Sequence, residues 1–547
     1  METIFMFIGG FGMFLYGMNI MGSGLQKAAG NKMKQLLGML TNNRVLGVIV
    51  GALVTFIVQS SSATTVMIVG FVNAGLVNLS QAVGVIMGAN IGTTLTAWMV
   101  AMGEWSQYLK PGFIAPMVVG VGVFLMFFSK DRRKKQIGEI LVGFGMLFIG
   151  LEYMSDSMRD HRDSPVFKQA FAFLGQNPVL GILAGALVTF VVQSSSASVG
   201  ILQTLAAATF LPLNAAVYII LGQNIGTCMT ALLSSIGANK TAKRAAYVHL
   251  LFNLIGSVLF AIVIFVLFTF INPEIGGIQT TMTNISIVHT IFNVGSTIVL
   301  FPFANHLVRL STKIVRGEDK PERDDEDSIL RHLDERILET PSFAVENAIK
   351  EVAHMGKLAI DNTKLATEAI YERDIEKFNQ VIEEEKHINL VEKLITEYLV
   401  KISNTPLNQH QQLIINNLFN TVNDIERVGD HAENIAELAE YYISKDLYMS
   451  NEAIEEMKEI SDKTIETIEF AIDARESENM DLIRKVIENE ELVDTLEETL
   501  RERHIKRLSQ NLCDSTTGVV FLDLISNLER ISDHALNIAY YVKDEIL

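Results

Sequence analysis

Two stretches decide the fold: Gly51–Ala63, GALVTFIVQSSSA, and Gly185–Ala197, GALVTFVVQSSSA. Twelve of the thirteen positions are identical, and the copies stand 134 residues apart. Each lies in a long apolar segment, 45–78 or 177–212, that QSSS interrupts in the middle. Each half is about 15 residues long, short of the ~20 that a crossing helix needs. The pattern predicts two re-entrant hairpins with QSSS at or near their tips. Such breaks are tolerated at membrane depth only where they are buried in protein or line a cavity.

The surroundings are those of a membrane protein. No charged side chain lies between Arg44 and Glu104. Further apolar segments fall at 3–22, 81–103, 112–128, 138–155, 214–236, 246–270 and 283–305. The opening METIFMFIGG lacks a basic leader region and reads as a membrane helix. Charge divides the chain in two. Residues 1–311 hold 17 basic and 9 acidic side chains, whereas 312–547 hold 27 and 53. The tail therefore reads as soluble acidic helix, which argues against nucleic acid as a partner. Two cysteines, Cys228 and Cys513, make no disulfide framework.

Basic loops carry Lys27, Lys32, Lys34 and Arg44, then KDRRKK at Lys130–Lys135, then Lys240, Lys243 and Arg244. The positive-inside rule places these in the cytoplasm. Seven crossings satisfy that rule if the hairpins do not cross. The N-terminus is then outside and the tail inside the cytoplasmic membrane. Other motifs repeat as well. FGMFLYG at Phe11 resembles FGMLFIG at Phe144, and GANIGTTLTA at Gly88 matches GQNIGTCMTA at Gly222. With opposite entry directions, these copies form an inverted-topology repeat, repeat 1 about 1–128 and repeat 2 about 138–270, with an extra helix at 283–305. Inverted repeats with broken segments near the midplane point to secondary transport.

The motifs have identifiable chemistry. Gln59, Ser60, Ser61, Ser62 and Thr64, with Gln193, Ser194, Ser195, Ser196 and Ser198, supply neutral donors beside the N-termini of half-helices. They would suit an oxyanion, and their oxygens would suit a hard cation. The alternative is helix packing through small residues. Asn90, Thr93, Thr94, Asn224 and Thr227 offer side-chain and unwound-backbone oxygens beside the hairpins, or satisfied packing glycines and neighbours. His249 with Asn253, and His289 with Asn293, share helix faces, and helix-to-helix hydrogen bonding is the favoured reading. The membrane half contains no nucleotide loop, nucleophile–base pair or catalytic metal motif, so no enzymatic activity is expected.

A charged linker is expected over 311–340, with RGEDKPERDDEDS at its centre, followed by helical periodicity over 341–547. The tail repeats too. IERVGDHAENIA at Ile425 matches LERISDHALNIA at Leu528, and VIEEE at Val381 resembles VIENE at Val486. Two three-helix bundles are the simplest reading. Glu426 and Asp430, and Glu529 and Asp533, are i, i+4 carboxylate pairs able to hold a metal or to form a solvated acidic face, with His431 and His534 nearby.

The twin QSSS motifs, the NIGT stretches and KRAAYVHLLFN resemble the type II sodium–phosphate cotransporter family over most of residues 1–310. The tail resembles PhoU, the phosphate regulatory domain, over about 341–547. The resemblance implies an all-α polytopic membrane protein with a cytoplasmic pair of three-helix bundles. It implies that the two QSSS hairpins form the phosphate and sodium site, that the NIGT residues assist with sodium, and that the E-x-x-x-D carboxylates hold clustered metal ions. The second PhoU copy departs from the first, with Asn527 matching Asp424, Leu536 matching Glu433 and Tyr540 matching Glu437.

The reading is a sodium-coupled symporter of inorganic phosphate working by alternating access and regulated by its PhoU-like domain. Its partners would be phosphate, sodium, the lipid bilayer, and a second copy of the chain or a phosphate-signalling protein. Two other readings stay open: a membrane-bound phosphate sensor without net transport, and a transporter of another oxyanion.

Overall fold

The computed structural model describes residues 2–29, 43–104, 111–159, 164–317 and 333–547. Lys32, Lys34 and residues 318–332 of the expected linker lie outside the described residues. The described residues are helical with no strand beyond an isolated bridge between Pro212 and Gln279. They divide into two units, Met1–Pro321 with Asp334–Ser342, and Glu322–Leu333 with Phe343–Leu547.

In the first unit the helices are α1 (Glu2–Ala29), α2 (Arg44–Val58), α3 (Ser61–Asn73), α4 (Leu79–Ala101), α5 (Pro111–Phe128) and α6 (Arg132–Arg159). They continue as α7 (Pro165–Gln176), α8 (Pro178–Val192), α9 (Ser195–Ala208), α10 (Leu213–Ser234), α11 (Lys240–Val266), α12 (Met282–Leu300) and α13 (Ala304–Ile314). Six stretches among the described residues are long and apolar enough to span a bilayer: α1, α4, α6, α10, α11, and α12 with α13. The described apolar part of α5, Ile114–Phe128, is shorter.

The two QSSS segments form the helical hairpins α2–α3 and α8–α9. Each entering half-helix runs parallel to the helix after its hairpin, at a distance only glycine permits. A Cβ on Gly51 would lie 2.2 Å from the Val85 carbonyl oxygen, and one on Gly88 would lie 2.0 Å from that of Val48. The second copy repeats the arrangement, with Gly185 facing Ile219 at 2.0 Å and Gly222 facing Ile182 at 1.9 Å. The glycines of GALVTF and of GANIG or GQNIG are therefore two sides of one contact. Such small-residue faces let backbones approach where lipid supplies no hydrophobic drive.

The hairpins open in opposite directions. Arg44, at the start of α2, donates to Ser80 at 2.9 Å and to Asn305 at 2.6 Å. Asn73, at the end of α3, bonds Asn239 before α11. These contacts place Arg44, Lys240, Lys243 and Arg244 at one end of the unit. The open end of α8–α9 meets the opposite end, where Gln279 donates to the Ala206 and Thr209 carbonyls and Glu104 accepts from the backbone of Met282.

The second unit holds α14 (Pro341–Glu372, from Phe343 onward), α15 (Ile375–Ser403), α16 (Gln409–Ser444), α17 (Asn451–Ser477), α18 (Met480–Ser509) and α19 (Ser515–Ile546). Apolar faces at helical spacing bury Ile388, Ile395, Leu418, Ile425, Ile460, Val493, Leu524 and Ile531. A buried ion pair joins Arg475 of α17 to Glu545 of α19, with Nη1 2.7 Å from Oε1.

Candidate functional site

Both hairpin tips are built alike. Gln59 (φ 59°) and Gln193 (φ 55°) take the left-handed conformation, which costs a non-glycine residue roughly 1–2 kcal/mol. Each ends its half-helix by donating its N–H to the carbonyl four residues back, Thr55 at 2.8 Å and Thr189 at 2.7 Å. The chain then becomes extended at Ser60 and Ser194, whose hydroxyls cap α3 and α9 by accepting from Ala63 and Ala197 at 3.1 and 3.2 Å. The two arms of each hairpin are pinned by hydroxyl pairs, Thr55 to Thr64 at 3.1 Å and Thr189 to Ser198 at 2.8 Å.

The tips meet. Ser61 Oγ lies 3.3 Å from Ser195 Oγ, and both serines are buried. Two helix N-termini are thus brought together, each carrying roughly half a positive charge and unpaired first-turn N–H groups. Neither α2–α3 nor α8–α9 holds a basic side chain between Arg44 and Ala208 within the hairpins themselves. The tips present hydroxyls, amides and backbone dipoles to one another, donors of the kind that suit an anion. They are not symmetric in detail. Gln59 is 8% exposed and its Oε1 accepts from Thr96 at 3.1 Å, whereas Gln193 is exposed.

The NIGT residues are arranged differently from the sequence expectation of unwound backbone. Both stretches lie inside continuous helices, α4 and α10. Asn90 and Asn224 donate to the carbonyls of Ile86 and Ile220, and Thr93, Thr94 and Thr227 bond back to their own helices. The reason is the glycine contact just described, which presses these helices flat against α2 and α8. Gln223 Nε2 reaches across to the Ser198 carbonyl at 2.9 Å. Asn253 and Asn293 likewise donate to the His249 and His289 carbonyls of their own helices.

In the second unit carboxylates crowd together at two places. Glu426 and Asp430 of α16 stand near Glu385 of α15, both of whose carboxylate oxygens are buried without a partner. Burial, then Asp430, Glu433 and Glu426, push the Glu385 carboxyl up to about 8. Carboxylate oxygens of Glu490, Asp494 and Asp533 lie within 4.8 Å of one another. Burial, then Asp494, Asp533 and Glu529 among others, push Glu490 up to about 7. The Glu490, Asp494 and Asp533 carboxylates, gathered this closely, fit a hard divalent cation, which would relieve both repulsion and desolvation. The histidines go elsewhere. His431 Nδ1 is 2.9 Å from Asn527 and His534 Nδ1 is 2.7 Å from Asp424, between α16 and α19.

Residues 13–156 and 160–299 match the Na+/Pi-cotransporter family. The chain belongs to that family. Residues 352–439 and 457–542 match the PhoU domain. Na+/Pi-cotransporters are multi-pass transport proteins, and the six apolar spans agree with that. The chain is 24% identical over 556 residues to "Putative inorganic phosphate export protein YjbB" of Salmonella typhimurium, covering 100% of this chain and 98% of that one. It is 39% identical over 92 residues to "Sodium-dependent phosphate transport protein 2A" of Rattus norvegicus, 16% of this chain and 14% of that one. The crystal structure of PhoU from Pseudomonas aeruginosa matches with a TM-score of 0.36 and 24% identity, over 37% of this chain and 97% of that chain.

Within this Na+/Pi-cotransporter chain, sequence reasoning did not single out Thr55, Thr96, Thr189, Glu385, Glu490 or Asp494. A signal existed for two of them. Glu385 and Glu490 end the repeated VIEEE and VIENE stretches, so a carboxylate recurs at matching places. Thr96 offered none, because its role depends on how α4 passes the tip of the first hairpin.

Proposed function

We propose that this chain carries inorganic phosphate across the cytoplasmic membrane coupled to sodium, with the anion held between the tips of α2–α3 and α8–α9. The observation that carries this reading is the approach of Ser61 and Ser195 at 3.3 Å. It sets two positive helix ends face to face, an arrangement an oxyanion stabilises and a cation alone does not. Gln59, Ser60, Ser61, Ser62 and Thr64, with their counterparts Gln193, Ser194, Ser195, Ser196 and Ser198, provide the donors. Sodium neutralises the bound anion, with hydroxyl and carbonyl oxygens near Asn90, Thr93, Thr94, Asn224 and Thr227 as its contacts.

The basic end of the first unit faces the cytoplasm. The hairpin that opens there and the hairpin that opens to the other side give the site two routes of access, as alternating access requires. The PhoU-like unit is cytoplasmic and regulates transport. Its acidic clusters, Glu385 with Glu426 and Asp430, and Glu490 with Asp494, Glu529 and Asp533, hold divalent cations. A relative named for phosphate export adds a second reading of direction, net efflux.

Radiolabelled phosphate flux in proteoliposomes tests this, with an imposed sodium gradient and with potassium in place of sodium. Sodium-driven uptake that falls in Gln59→Ala and Ser194→Ala is the expected result. Flux that follows a reversed gradient outward sets the direction. Phosphate binding with no flux under any gradient leaves a sensor, and equal competition by sulfate leaves a general oxyanion carrier.

A further inference from the structure

The segment just before the PhoU-like unit belongs to the membrane unit. Glu335–Glu339 form a 3-10 turn seated on the end of α3, the exit arm of the first hairpin. Asp334 is 7% exposed and Ile337 fully buried. Asp334 caps the turn by accepting from the Arg336 N–H at 2.9 Å. Its other oxygen accepts from Asn73 Nδ2 at 2.8 Å and from Arg336 Nη1 at 2.7 Å. Arg336 then reaches the carbonyls that end α10, Ser234 at 2.6 Å and Ile236 at 3.3 Å. A cation there meets the negative end of the helix dipole. Thr340 Oγ1 closes the strap on Met67 Sδ at 3.1 Å.

Three residues of the first hairpin meet this strap. Met67, Gly70 and Asn73 lie one turn apart on α3 and face it. A Cβ on Gly70 would stand 3.0 Å from the Arg336 Cβ, so the strap lies close against that glycine, which otherwise weakens a helix by about 1 kcal/mol. At the 134-residue offset the second copy has Ile201, Thr204 and Ala207. The two copies differ at every position from Thr65 to Asn73, those that the strap touches among them. The strap also joins the two repeats, since Asn73 belongs to the first and Ser234 and Ile236 to the second.

We propose that Asp334–Thr340 is a latch through which the PhoU-like unit restrains transport. The inference deepens the transport reading above and rests on it. Alternating access requires one repeat to move against the other, and the latch bonds both at the same end. Pro341, the residue after Thr340, opens the helix that leads into the PhoU-like unit at Phe343. The two are joined by consecutive residues, so a rearrangement of that helix acts on the strap and breaks the bonds it makes between α3 and α10.

The test uses full-length protein in proteoliposomes. Arg336→Ala, which removes the bonds to α10, is expected to raise maximal phosphate flux at least threefold at unchanged protein density. A second variant, Arg336→Lys, keeps a cation at the end of α10 and is expected to stay near the parent. Misfolding lowers flux, so it cannot imitate a rise confined to Arg336→Ala. Unchanged or lower flux in Arg336→Ala, or an equal rise in Arg336→Lys, overturns the latch. If the parent itself shows no sodium-driven flux, the transport reading fails and the latch falls with it.

Discussion

Ser61 Oγ and Ser195 Oγ, 134 positions apart in the chain, lie 3.3 Å from each other. One is the first residue of α3 and the other the first of α9. Duplication thus ends in a single place built from both copies. If one anion bridges the two tips, Ser61→Ala and Ser195→Ala each weaken phosphate binding by about tenfold, the worth of a charge-assisted hydrogen bond. The double variant loses less than the sum, since the two hydroxyls share one ligand. Calorimetric titration of phosphate into the four proteins measures this. Additive losses would mean two independent sites.

Thr96 gives the sites a testable inequality. Its hydroxyl donates to Gln59 Oε1, while Thr230, its counterpart in the second repeat, bonds back to the Thr227 carbonyl of its own helix. Thr96→Val leaves a buried acceptor unpaired, a cost of about 1–3 kcal/mol. It should raise the KM for phosphate about tenfold, with Thr230→Val close to the parent. Equal effects of the two would remove Thr96 from the role of positioning Gln59.

The glycine contact should be intolerant of any side chain. Gly222→Ala places a methyl 1.9 Å from the Ile182 carbonyl, which neither backbone can vacate without moving its helix. The cost is about 3 kcal/mol or more. Gly295, whose Cβ position has nothing within 4 Å, is the control. Thermal unfolding in detergent should show a lower midpoint for Gly222→Ala and an unchanged one for Gly295→Ala.

The acidic clusters predict a pH dependence of definite sign. The Glu385 carboxyl is raised from 4.5 to about 8, first by burial and then by its acidic neighbours. The folded protein therefore holds this proton more tightly than the unfolded chain. Stability from this group is fully present below about 4.5 and is lost as pH rises toward about 8. Unfolding midpoints should fall between pH 6 and 8 in chelator, recover with millimolar divalent cation, and lose most of that slope in Glu385→Gln. A slope that survives in Glu385→Gln places the effect elsewhere.

Arg475 and Glu545 are nearly without solvent, at 0% and 2% side-chain exposure. Arg475→Ala strands a buried carboxylate and is expected to destabilise the PhoU-like unit by about 3–5 kcal/mol. The paired change Arg475→Met with Glu545→Leu should recover most of that loss in the same denaturation assay.

Sequence alone determined the parts that depend on local pattern. Apolar length against bilayer thickness revealed two broken segments, because a half of about 15 residues cannot cross. The 134-residue repeat, the charge asymmetry and the two carboxylate motifs were equally plain in the chain. Tertiary structure decided what those parts meet. The pattern of NIGT could not show that a glycine face would keep α4 and α10 continuous, since that depends on the carbonyls of Val48 and Ile182 across the contact. Nor could it show that Asp424 and Asn527, which break the tail's symmetry, serve His534 and His431 rather than the acidic clusters. The charged run over 311–340 read as a linker throughout, yet Asp334–Thr340 fold onto α3 because Gly70 leaves the space and Asn73 the hydrogen bond. Periodicity reports which face of a helix is apolar. Which distant residue fills the space beside it is a matter of packing, and packing is settled only when the whole chain has closed on itself.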